Sequence, residues 1–281
     1  MSSNNLTLIT LVVLIIGCSQ ENKVSKEVSQ DKSNNFSTVT QAYSDIDIKE
    51  YKTINVKNIV TLFNEIDINK ISDKIKFPLS RKYPIPPIKN KKEFIKRFNE
   101  VFDDSLCIKI ANSDSGQWTH MGWKGIMLDN GTVWMESSFE GRIIAVNYMS
   151  NIEKEIRKEL IKKEKRSLHS SLRDFESPKY KVITEDYLIR IDELTNGKYR
   201  YASWDINKKE SLKPDLILEN GEFEYQGSGG NHTITFLNKN YQYKIFMFQL
   251  RERDSTDVLF EIEKDHKVIL SQSGSSSIIK Y

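Results

Sequence analysis

Apolar positions follow distinct rhythms along this chain. Leu6 to Ile16 is a run broken only by Thr7 and Thr10, and residues 1–17 carry no charged side chain. As a helix the run would span about 16 Å, roughly half a bilayer's hydrocarbon core, so it predicts a signal-peptide hydrophobic region rather than a spanning segment. Residues 18–50 lose all periodicity, with Phe36 and Tyr43 as their only aromatics. They predict a flexible tether with a root-mean-square reach of about 30 Å.

A folded body is expected from residue 51. Ile59, Leu62, Phe63 and Ile66 sit at helical spacing. Pro78, Pro84, Pro86 and Pro87 forbid helix and predict an extended crossover. Asn90 with Glu93 reads as a helix start, followed by the stripe Phe94, Ile95, Phe98, Val101 and Phe102, then a shorter apolar piece at 106–110. Strand-like runs at 123–128, 132–136 and 142–148 come next, the first pair joined by Asp129-Asn130-Gly131, a hairpin signal.

Residues 151–178 predict a charged connecting helix, capped by Ser150 with Glu153, and supported by the pairs Glu153–Arg157 and Glu159–Lys163. From 179 the period falls to two. Runs at 187–194, 199–204, 215–218, 222–226, 233–237, 241–248, 258–262 and 267–270 alternate, with turns at Asn196-Gly197 and Asn220-Gly221. The expected fold class is therefore α+β: helices on a curved antiparallel sheet over 51–150, then an all-β sandwich or barrel over 179–281.

Composition changes the picture only locally. The 281 residues carry 42 Lys+Arg and 39 Asp+Glu, a net charge of +3, which gives no basic footprint for nucleic acid. Two cysteines cannot build a disulfide scaffold. One of them, Cys107, sits in an apolar helical run and reads as an inert buried thiol. The other closes Leu14-Ile15-Ile16-Gly17-Cys18. That string resembles the lipobox of bacterial lipoproteins. The resemblance implies cleavage before Cys18, with 1–17 as signal peptide, and acylation of Cys18, so that the membrane becomes a partner through the N-terminal lipid. Ser19 in place of Asp implies, by the same resemblance, the outer membrane facing the periplasm. Unlike the family pattern, Met1 to Asn5 lacks Lys or Arg. In element order, 51–150 also resembles the cone-shaped NTF2-like or cystatin-like fold, and with Tyr199-Arg200-Tyr201-Ala202-Ser203-Trp204 and Lys213-Pro214-Asp215-Leu216 the body resembles uncharacterised envelope proteins.

Catalytic signatures are sparse. No Gly-x-Ser-x-Gly elbow or phosphate-binding loop occurs, and His120, His169, His232 and His266 lack metal-ligand spacing, so no metal, cofactor or catalytic residue is assigned. Two constellations stand out. By the NTF2-like resemblance, Asp103, Asp104, Trp118, His120, Trp123 and Trp134 would line a ligand cleft, with His120 as base and an Asp as its orienter in an enzyme; in the plainer account Trp123 and Trp134 fill the cone. Gly227, Ser228, Gly229, Gly230, Asn231 and His232 form a glycine-rich loop suited to a partner-binding tip. The expected function is a lipid-anchored, non-catalytic binder of a protein or small-molecule ligand in the cell envelope. The alternatives are an envelope enzyme using the cleft, or an inhibitor or immunity-type protein acting on a cell-wall enzyme.

Overall fold

Short polar side chains fix where the helices begin. The computed structural model describes residues 49–227, 229–248 and 256–276. Helix α1 occupies 49–65, and α2 (Ile68–Asp73) opens at Asp67, whose carboxylate accepts from the Lys70 amide at 3.1 Å. Asn90 caps α3 (Lys91–Val101) and Asp103 caps α4 (Asp104–Ala111), each accepting a backbone N–H at 3.0 Å. Those amides have no partner inside their own helix. The expected signal peptide, the lipobox at Cys18 and the tether up to residue 48 lie outside the described residues.

Strands β1 (Trp118–His120), β2 (Ile126–Leu128), β3 (Val133–Met135) and β4 (Ile143–Val146) form an antiparallel meander. The hairpin expected at 129–131 is present, with Asp129 at φ 49° and Gly131 at φ 89°. A Cβ on Gly131 would stand 2.8 Å from the Trp134 indole nitrogen, so the turn accepts only glycine. The strand run expected from residue 123 begins later, because 122–124 is a 3-10 turn. Helices and sheet share one core, where Phe63, Phe94, Phe98 and Phe102 pack ring on ring, Phe98 and Phe102 stacked at 5.3 Å. Ile66, expected on the buried stripe of α1, is exposed because φ 49° ends the helix there.

The proline-rich crossover is pinned by Leu79 and Ile88, which exchange backbone hydrogen bonds of 2.8 and 2.9 Å. It carries Arg81 and Tyr83 to α5 (Asn151–Ser167). Ser150 caps that helix as expected. The expected Glu153–Arg157 pair does not form. Glu153 is fully buried and takes Arg81 through both carboxylate oxygens, while Arg157 donates to the Tyr83 carbonyl at 2.8 Å and to Ser177 Oγ at 2.6 Å. Glu159 pairs with Lys162 at 3.6 Å.

Eight antiparallel strands then close into a barrel: β5 (Ser177–Ile183), β6 (Tyr187–Glu193), β7 (Tyr199–Asp205), β8 (Leu216–Tyr225), β9 (His232–Asn238), β10 (Tyr241–Met247), β11 (Val258–Lys264) and β12 (Lys267–Ser276). Between sandwich and barrel, closure decides for the barrel. Side chains fill its interior, among them Ile189, Tyr201, Ile234, Phe236, Ile245 and Phe260, all at most 1% exposed. Two expectations about the strands change. Ser177–Ile183 is a strand, and the boundary at 178/179 falls inside it. Runs 215–218 and 222–226 are one strand, β8, bent at Asn220 (φ 62°), and Asn220-Gly221 is its corner rather than a hairpin.

β6 and β7 are buried on both faces. Their odd-numbered side chains enter the barrel, and the outward Leu188, Ala202 and Trp204 pack against Leu168, Leu172 and Phe175 just beyond α5. The same outward face carries Arg190, Asp192 and Arg200, at most 4% exposed. Asp192 accepts from Arg190 Nε at 3.1 Å and from Arg200 at 2.8 Å. Arg200 also donates to the Leu172 and Asp174 carbonyls, and Arg190 reaches Glu164 of α5 at 3.1 Å.

Candidate binding site at the barrel mouth

The six residues expected to line a cleft do not converge. Asp103 caps α4 and accepts from the Tyr148 hydroxyl at 2.8 Å, and Asp104 is exposed in the first turn. Trp118 is fully buried in the core, donating to Ser113 Oγ at 2.9 Å. His120 lies in β1 opposite Ile126. Trp134 leans over the Gly131 turn, and Trp123 is 75% exposed. The filling role given to Trp123 therefore falls to Trp118, one strand earlier. Two shallow depressions of about 380 and 650 Å³ line the outer face of α5, and none of these six residues borders either.

The glycine-rich loop does meet partners. Gly227 turns at φ 73° and Gly230 at φ 83°, Gln226 and Asn231 close the loop through a 2.7 Å backbone bond, and Ser228 lies outside the described residues. His232, expected at the tip, is instead the first residue of β9 and is 5% exposed. Its Nδ1–H donates to the Gly230 carbonyl at 2.8 Å, so its Nε2 accepts from the Tyr180 hydroxyl, also at 2.8 Å. Both ring nitrogens are engaged, and burial, which holds the pKa below the ordinary histidine value, favours the neutral ring. That ring is committed to structure; no nitrogen is left for proton transfer.

Around it the barrel end is aromatic. Phe223 stacks on His232 at 4.5 Å and on Tyr199 at 5.9 Å, and Tyr225 meets Phe223 edge-on at 4.8 Å while remaining 70% exposed. Such edge-to-face and offset pairs hold rings rigidly at little entropic cost. Alternation along the strand brings Phe223 to the interior only because β8 gains a residue at Asn220; without the bulge it would face outward.

A cationic rim adjoins these rings. Lys179 of β5 stands 5.9 Å from the Tyr199 ring centre and pairs with Glu193 at 2.7 Å. Arg157 of α5 reaches the same strand through Ser177. Burial, then the nearby Arg157 and Lys179 charges, depress the Lys82 pKa, and Glu193 opposes them. Sequence reasoning missed this cluster because its members come from the proline crossover, α5 and two barrel strands. Among the described residues no group of three His, Cys, Asp or Glu side chains is placed to hold a metal ion. Comparison with protein families, curated proteins and solved structures finds no match to this chain.

Proposed function

We propose that the protein is a lipid-anchored envelope protein that binds an acidic partner at the barrel mouth, without catalysis. Anchoring rests on the sequence at Cys18. The binding role rests on one observation: an exposed Tyr225 on a rigid aromatic stack whose Tyr199 ring lies beside the Lys179 ammonium. Aromatic and cationic side chains are the usual strong contributors to interfaces, and opposed charge raises association rate and selectivity.

A photo-crosslinking residue at position 225, expressed in the native envelope, tests the binding site. The expected result is an adduct of discrete mass that is lost when Lys82 and Lys179 are both changed to Glu. No adduct, or the same adduct from exposed Leu212, removes the reading. Anchoring is tested separately: Cys18→Ala should release the protein from membranes washed with carbonate, and retention after that wash rules the lipid out.

A further inference from the structure

Exposed apolar side chains gather where the chain enters its first helix. Tyr51 near the start of α1 meets Phe139 edge-on at 5.9 Å, and Asn55, one turn on, donates to the Ser138 carbonyl at 2.8 Å. Ser137 of that loop reaches the Gly122 carbonyl at 3.5 Å, which sets the 3-10 turn carrying Trp123 alongside. Trp123 and Phe139 are each 75% exposed, and Met121, Tyr51 and Ile54 about 40%. Side chains of this size are normally buried, and their grouping marks a contact surface.

We propose that this patch rests on the lipid bilayer, as a second membrane contact beside the acylated cysteine. The inference depends on the Cys18 anchor. By that reading the tether joins the body at residue 49, where α1 begins and carries Tyr51 and Ile54, so the patch lies within the tether's reach of the bilayer. Tyr and Trp rings suit the interface between headgroups and acyl chains, where one end of the ring is apolar and the other wet. Five side chains alone bind weakly; a tether supplies an effective concentration of about millimolar, which makes a weak contact sufficient.

The test works whether or not the cell acylates the protein. The chain from Cys18 onward is coupled through the Cys18 thiol to vesicles of phosphatidylethanolamine and phosphatidylglycerol bearing a maleimide lipid. Cys107 is buried and stays unlabelled. Tryptophan emission is compared between vesicles with brominated and with ordinary acyl chains. Trp118 and Trp204 are fully buried, so bromine reports chiefly on Trp123. The expected result is a loss of emission on brominated vesicles that disappears in Trp123→Phe and persists in Trp134→Phe. Equal emission on both vesicles, or a loss that survives Trp123→Phe, overturns the proposal. Failure of the anchor reading shows elsewhere, as Cys18→Ala protein that stays with carbonate-washed membranes.

Discussion

At the scale of single residues, the buried charges dominate. Asp192 is 1% exposed and sits between Arg190 and Arg200, which are themselves buried. Removing one member of such a group strands the others without water, a loss of about 3–5 kcal/mol. Asp192→Asn is therefore expected to lower the urea midpoint sharply. Lys158→Ala, which breaks a pair whose Glu155 is 73% exposed, should leave it within error. His232 sets a pH dependence of known sign. Burial lowers its folded pKa, so the unfolded chain binds the proton more readily. Its contribution is complete above the unfolded value of about 6.5 and is lost as pH falls below that. Urea midpoints measured from neutral pH downward should fall, and His232→Gln should flatten that part of the slope; an unchanged slope assigns it to other groups. Cys107 makes the opposite case: burial pushes its thiol up to about 11, so it should resist thiol reagents at pH 8 until the protein unfolds.

Among elements, β8 shows how one residue redirects a strand. Leu216 and Leu218 belong to the interior, and past Asn220 the odd positions take over, with Gly221 against Phe236. A Cβ on Gly221 would lie 2.2 Å from the Phe236 ring. Gly221→Ala should cost about 1–3 kcal/mol of overpacking. Adding Phe236→Leu should recover part of the loss, and a double variant no better than the single one would place the cost in the backbone. The same corner explains what the sequence concealed. Asn-Gly between alternating runs reads as a hairpin, and only the pairing of β8 with β7 and then β9 shows one continuous strand. β5 was hidden for a related reason, since Pro178 suggests a boundary, yet it sits at a bulge in the strand's first turn of pairing, where a missing N–H is tolerated. Helix starts were legible where Asn90 and Ser150 act on amides three residues away. The barrel mouth was legible only as a glycine-rich loop, because Tyr180, Tyr199 and Lys179 reach it through closure.

For the whole molecule, α5 decides how the parts depend on one another. Its Glu153 holds Arg81 beneath the proline crossover, and its Glu164 accepts from Tyr83 at 2.5 Å on one side and from Arg190 of the barrel on the other. The barrel wall at β6 and β7 is thus completed by segments that precede it. A chain beginning at 179 would lose Ser177 and Pro178 from β5, uncover Leu188, Ala202 and Trp204, and remove the Leu172 and Asp174 carbonyls that Arg200 binds. A chain beginning at 150 keeps all of these contacts. Exposing that apolar face forfeits roughly 25 cal/mol per Å², and the unpaired arginines add to the loss. The fragment 150–281 is therefore expected to unfold in one cooperative urea transition with a near-ultraviolet signal from the buried Trp204, and the fragment 179–281 to unfold at lower urea or lack that signal. Equal midpoints would show instead that the barrel is self-sufficient and that α5 rides on a finished surface.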